Sequence, residues 1–197
     1  AQVMVGFNRR YSPHIQVLSK ALADWNEPAS MIMTVNAGHL PSDHWTLDPQ
    51  AGGGRIIGEA CHFIDLLCYL NGCQVKSMST SATFRHQQDS DPSANIMLTF
   101  DDSTSGVVHY LTNGHRSFPK ERLEIFCAGN TMVLDNFRKM TGLGFDSKKF
   151  GFKGQDKGHD ACLKAFVKSL QNSEPAMDFD GIRQSSRLAI MAHNEIF

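Results

Sequence analysis

The sequence predicts an α+β domain, an open and mostly antiparallel β-sheet with helices packed on one face. Three observations carry this. Between Val75 and Asp135, strand-length apolar runs alternate with short polar turns, as in a series of hairpins. Stretches with a single apolar face at helical spacing lie on both sides of that series. The chain has 197 residues, 41% hydrophobic and 20% charged, enough to bury a core without disulfides or metals.

The elements follow in order. Gln2 to Phe7 reads as a short apolar strand that ends at Asn8-Arg9-Arg10. Ser12-Pro13 opens a helix, with Ser12 as N-cap and Pro13 at the first helical position. Ile15, Leu18, Leu22 and Trp25 give that helix one core face, and Asn26-Glu27-Pro28 stops it. Ala29 to Ala37 is β-rich, and Gly38 to Gln50 is a loop carrying His39, His44 and Trp45. After Gly52-Gly53-Gly54 comes a helix over about Ile56 to Leu70. Its apolar face holds Ile57, Ala60, Ile64 and Leu67, its other face Glu59, His62 and Asp65, and Asn71-Gly72 caps it. Val75 to Arg85, Asn95 to Phe100 and Gly106 to Leu111 read as strands, with a polar loop over Gln87 to Ser93. Arg122 to Ala128 and Thr131 to Asp135 form a hairpin about Gly129-Asn130. Asn136 to Phe152 reads as irregular with short strand pieces. Two helices close the chain, Gly158 to Leu170 and Asp180 onward, the second capped by Asp178 or Asp180.

Composition excludes several classes. A formal net charge of -1 gives no overall field toward nucleic acid or an anionic membrane. No apolar run reaches the roughly 18 residues that span a bilayer. The opening Ala1-Gln2-Val3-Met4-Val5 has no basic region of a signal peptide and no initiator Met, so the chain reads as a processed or excised fragment. The five cysteines, odd in number and without a CxxC pair, point to a reducing, cytoplasmic setting rather than to disulfides or zinc.

The densest polar cluster runs from Gly52 to Asp65. A glycine loop lets a ligand approach backbone, and the helix start behind it favours anions. Glu59 and His62 are i and i+3, and a histidine near neutral pKa can exchange a proton with a hydroxyl or carbonyl. An ordinary tight turn with a surface row of polar side chains has the same pattern. Three further clusters are candidate pocket walls: Asn8-Arg9-Arg10, the loop Asn113 to Arg122 with Lys120, and Lys157-Gly158-His159-Asp160. Solvated loops and helix caps are the more ordinary explanation of those. Neither Gly52-x-Gly54 nor Gly142-x-Gly144 completes a dinucleotide fingerprint, so no cofactor module is expected in this chain.

Two segments together resemble a known family. Val5 to Pro13 is similar to the strand-to-helix passage that ends the Rossmann half in the glucose–fructose oxidoreductase / inositol dehydrogenase / MocA family. Gly52 through Asp65 resembles that family's GGG-x-L-x-D-x-G-x-H-x-x-D motif. Gly58 to Leu66 and Ser117 to Arg122 resemble the branch often fused to a zinc-alcohol-dehydrogenase-like region. The resemblance implies a two-domain oxidoreductase with a sheet like that of the glyceraldehyde-3-phosphate dehydrogenase C-terminal domain. Residues 1–25 would be the last strand and linking helix of a missing Rossmann domain, and residues 26–197 the substrate-binding and dimerisation domain. NAD or NADP would be held by the missing half, with none expected on this fragment. Deprived of its sheet, Gln2 to Phe7 would be disordered or would pair with another strand edge.

The implied reaction is hydride transfer from a sugar or nucleotide-sugar hydroxyl carbon, with this fragment inactive alone. His62 corresponds to the motif histidine that assists proton transfer, and Glu59 would be its electrostatic helper. Arg10, Arg55, Asp65, Lys120 and His159 would contact substrate. The motif aspartate falls on Gly58 and the motif glycine on Ala60, so the motif carboxylate is absent. The open sheet face implies a homo-oligomer. A non-catalytic assembly module using that face is the rival reading, and a cofactor-free hydrolase using Glu59 and His62 a weaker one.

Overall fold

The computed structural model describes residues 2–86, 90–144 and 154–197. Its sheet has seven strands among these residues: β1 Ser30–Asn36, β2 Val75–Thr83, β3 Ser93–Phe100, β4 Ser105–Leu111, β5 Glu121–Cys127, β6 Asn130–Asp135 and β7 Lys139–Leu143. The spatial order is β2-β3-β4-β1-β5-β6-β7. All neighbours are antiparallel except β1 and β4, because β1 inserts between two strands that follow it in the chain. Among the described residues four α-helices accompany the sheet: α1 Pro13–Trp25, α2 Cys61–Asn71, α3 His159–Asn172 and α4 Phe179–Ile196.

Period-two alternation in the strands sends one set of side chains to the helices. Met31, Met33 and Val35 of β1, Ile96 and Leu98 of β3, Val108 of β4, and Leu123 and Ile125 of β5 share one core with Ile64 and Leu67 of α2 and Leu188 and Ala192 of α4. Each such side chain contributes about 1.5–3 kcal/mol relative to exposure. The predicted α+β class, with helices on one face of the sheet, is the observed one. The turn between β5 and β6 places Ala128 and Gly129 at φ 50° and 73°, the left-handed pair a tight hairpin requires. The sequence reading set that turn one residue later, at Gly129-Asn130. The stretch expected to be irregular after Asn136 contains β7, paired to β6 from Asp135↔Lys139 to Thr131↔Leu143. Its residues 145–153, like 87–89 of the predicted polar loop, lie outside the described residues.

Two local expectations are corrected. Gln2 to Phe7 is neither a strand nor free of the fold. Phe7 is buried with Cys162, Met177 and Ile182, Met4 and Val5 pack against them, and Ser169 Oγ donates to Gln2 Oε1 at 2.8 Å. Burial against α3 and α4 outweighs the β-propensity of an edge that finds no neighbour. Ser12 precedes α1 but makes no side-chain cap bond; its hydroxyl donates to the Asp156 carbonyl at 2.7 Å, a partner 144 residues away.

The central helix begins at Gly54 and runs through a π-turn, Ile56–Ala60, before becoming α2. The Cys61 N–H bonds the Ile56 carbonyl, an i→i+5 step that inserts one residue into the helical register. The slot expected for Ile57 is therefore filled by Ile56, 1% exposed, while Ile57 is half-buried. The helix ends at Gly72, φ 80°, as Asn71-Gly72 predicts.

Candidate functional site

The glycines before the central helix are required by space as well as by conformation. A Cβ on Gly52 would overlap Thr46 Cα and sit 2.5 Å from the Thr46 carbonyl oxygen. The chain at Thr46 thus lies directly on the loop, and Gly53 and Gly54 turn it through φ 69° and 82° into the helix. This compact entry brings the first helical turns over one end of the sheet.

At that end the register forms a row across three strands. Val35 of β1 pairs with Tyr110 of β4 on one side and with Glu121 of β5 on the other. All three are buried on the helix-facing side. Tyr110 donates its hydroxyl to Glu59 Oε2, and Arg55 Nε donates to the Tyr110 oxygen at 2.8 Å. Arg55 Nη2 lies 3.3 Å from Glu59 Oε2, and Arg55 Nη1 lies 3.5 Å from Asp91 Oδ1. Glu121 takes a bidentate pair from Arg9, Nε at 3.0 Å and Nη2 at 2.9 Å, and a third bond from Lys157 Nζ at 2.6 Å. The Arg9 guanidinium also stacks 4.4 Å over the Phe63 ring. Burial opposes ionisation of Glu121, but these two cations hold its carboxyl below the usual glutamate range.

Over this row opens a cleft of about 240 Å³, lined by Asn8, Arg9, Val35, Glu59, His62, Phe63, Lys120 and His159. His62 sits in its wall, its ring edge-on to Phe7 at 5.8 Å. Its Nδ1 is buried without a hydrogen-bond partner, leaving Nε2 as the nitrogen available to a ligand. Burial, reinforced by the nearby Arg9 charge, pushes the imidazole pKa down to about 4. His62 is therefore neutral at pH 7, with one ring nitrogen unprotonated. Glu59, half-buried beside it, is a carboxylate whose charge is shared with Arg55 and Tyr110.

Of the residues predicted for the site, the structure brings Glu59, His62, Lys120 and His159 to one cleft. Three others, Arg10, Asp65 and Arg55, do not line that cleft. Arg10 forms a buried bidentate ion pair with Asp65, which is 1% exposed. Asp65 had been placed on the face of Glu59 and His62, but two successive steps of three residues rotate a helix by about 120° from its starting face, turning it into the core. Arg10 borders a different cavity, of about 570 Å³, with Gln16, Tyr69 and Gln184 at the other end of α2. Arg55 is 3% exposed and pairs with the Glu59 carboxylate from within the fold.

Asn8 and Arg9 belong to a cluster that the sequence marks as a candidate pocket wall, and Glu121 to the marked loop Asn113 to Arg122, whereas sequence reasoning missed Tyr110 and Asn36. Asn36 Nδ2 donates to the carbonyls of His115 at 2.8 Å and Phe118 at 3.3 Å, and Asn36 N–H to that of Lys120, fixing the loop that delivers Lys120. Strand register puts Tyr110 and Glu121 on either side of Val35, a neighbourhood that spacing along the chain does not report. Among the described residues, no group of three or more His, Cys, Asp and Glu is placed to hold a metal ion, and no helix is long and apolar enough to cross a membrane.

Comparison with known proteins adds the family. The model of the GFO/IDH/MocA C-terminal domain matches residues 24–133. No curated protein matches the chain. Among solved structures, an NAD binding oxidoreductase from Klebsiella pneumoniae is 16% identical with a TM-score of 0.79, with 100% of this chain and 64% of that one covered. A probable dehydrogenase from Thermotoga maritima is 20% identical, TM-score 0.76, with 100% of this chain and 63% of that one covered. The UDP-N-acetylglucosamine 3-dehydrogenase of Acidithiobacillus ferrooxidans is 17% identical, TM-score 0.74, with 99% and 61% covered. At these identities the likeness is one of fold, and the chain spans less than two thirds of each of these proteins.

Proposed function

We propose, from the premise that this chain belongs to the GFO/IDH/MocA C-terminal domain family, that it is the substrate-binding part of an NAD(P)-dependent oxidoreductase acting on a sugar or nucleotide-sugar hydroxyl. The observation that carries this reading is the cleft in which neutral His62 and the held carboxylate of Glu59 face the same space, with one side open. The described residues contain no strand–glycine-turn–helix unit of the kind that grips a dinucleotide, and β1–β4 is their one parallel strand pair. The nicotinamide would therefore be carried by another module closing the open side, and when bound there it would supply a hydride acceptor for the hydroxyl-bearing carbon.

This chain's own residues supply binding and proton handling. His62 Nε2 accepts the hydroxyl proton as the carbon becomes a carbonyl. Glu59, fixed by Arg55 and Tyr110, stabilises the imidazolium that results. Asn8, Lys120 and His159 offer polar contacts to the remaining substrate groups. Without the second module the reacting carbon has no hydride acceptor at the required ~3–3.5 Å, so this chain alone turns nothing over.

The test is NAD(P)-linked oxidation of a sugar hydroxyl by the longer reading frame containing this chain. His62→Ala should lower turnover about 10²–10⁴-fold with the circular dichroism spectrum retained. Undiminished turnover in that variant would remove His62, and this reading with it.

The open sheet face favours an assembly role as a second reading. Ile32, Met97, Val107 and Phe126 point away from the helices, Met97 being 53% and Phe126 43% exposed. A homo-oligomer formed through this face would bury them. A parent protein that assembles but shows no nicotinamide-linked turnover would favour assembly as the whole function.

A further inference from the structure

The cleft beside His62 has more positive charge than its carboxylates balance. Lining it or directly behind it are Arg9, Arg55, Lys120 and Lys157. Against these four cations stand Glu59, Glu121 and Asp91. Both carboxylates nearest the ligand space are already engaged. Glu121 accepts from Arg9 and Lys157, and Glu59 from Tyr110 with Arg55 beside it. Asp91 divides its charge between Arg55 and His39. Lys120, exposed at the lip of the cleft, has no ion-pair partner among the described residues.

The donors also outnumber the acceptors. Arg9 has five N–H groups and spends two on Glu121; Lys157 has three and spends one there. Lys120 is held at the lip by a backbone bond from Asn36, so its charge is presented by a loop fixed to the sheet. A second module that closed the open side would exclude water and strengthen every charge interaction inside. A neutral ligand would then leave the excess cation unmatched in a drier space.

The geometry points to a sugar that carries an anionic group, a carboxylate or a phosphate, seated with that group against Lys120 and its reacting hydroxyl toward His62. This rests on the reading of the cleft as the hydroxyl-oxidising site and narrows its substrate class. At about 240 Å³ the cleft lies below the roughly 300–1,000 Å³ of a drug-sized site, which suits one sugar ring on this side of the interface.

The experiment follows the His62 ring resonances by NMR in the isotope-labelled chain at fixed ionic strength. The titrants are D-glucuronate, D-glucose 6-phosphate, neutral D-glucose and inorganic phosphate. Binding of at least one anionic sugar about tenfold or more tighter than glucose is expected, with the tighter of the two naming the group. Lys120→Gln should remove most of that preference, and Lys120→Arg should retain it. The proposal is overturned if glucose binds as tightly as both acids, if Lys120→Gln leaves the preference intact, or if inorganic phosphate competes equally with the sugars. Glucose perturbing His62 with no anionic preference would leave the proton-transfer reading in place and remove this one alone. Titrants that leave His62 unmoved overturn this proposal, and turnover of the His62→Ala variant then decides the wider reading separately.

Discussion

His62 and the Arg10–Asp65 pair show how burial sets the behaviour of single residues. Burial lowers the His62 pKa to about 4, below the ordinary 6.5 it would recover on unfolding. Between those values the unfolded chain binds more protons, so acid favours unfolding there. The stabilisation from keeping His62 neutral is full above pH 6.5 and is lost as pH falls toward 4, with an upper limit of about 3 kcal/mol. Urea unfolding of wild type and His62→Gln at pH 7 and pH 4.5 checks this. The wild type should lose more stability on acidification than the variant, and equal losses would contradict it. Arg10 and Asp65 make a different case, since each is buried with the other as its charged partner. Asp65→Asn leaves the guanidinium uncompensated and should cost about 3–5 kcal/mol in urea unfolding, with little change in the cleft beside His62.

The π-turn is the feature that matters at the scale of elements. It sets which side chain faces the sheet and which faces the cleft, and it depends on the glycine loop that feeds it. Gly58 is exposed, and a Cβ there would lie 3.0 Å from the Gly52 carbonyl oxygen. The carboxylate of the site is then presented one position later, by Glu59, reaching Tyr110 and Arg55. Gly52 has no room at all, because its added methyl would overlap backbone rather than a movable side chain. Gly52→Ala should destabilise by about 1–3 kcal/mol or more, since overpacking must shift Thr46 or the helix start. Hydrogen exchange should report the loss first in residues 45–60, with the strands protected until global unfolding.

At the scale of the molecule, one face of the sheet carries the helices and the site, and the other carries exposed apolar side chains. A second copy bound to that open face would leave the cleft end of the sheet accessible. On the assembly reading proposed for that face, Met97→Lys combined with Phe126→Lys should lower the sedimentation coefficient of the parent protein and leave the His62 resonances in place. An unchanged assembly state would remove the open face as the interface.

Much of this was legible in the residues themselves. Hydrophobic periodicity located β1 to β6 and the four α-helices to within a few residues, because each period reports the chain's own geometry, but it also read a strand at Gln2 to Phe7 and overlooked β7. The glycine loop with Glu59 and His62 drew attention to the region that forms the cleft. What periodicity cannot report is which elements become neighbours. Arg9 rather than Arg10 reaches the cleft because the short turn Asn8–Tyr11 directs adjacent side chains to opposite sides of α2. Tyr110 and Glu121 meet the site through strand register, and Asp65 leaves it through helix rotation. Chain-local patterns determined most of the secondary structure and the class of fold, whereas long-range packing decided the site, since Glu121, Arg9, Lys157 and Tyr110 reach it from positions tens of residues apart and meet only through the tertiary fold.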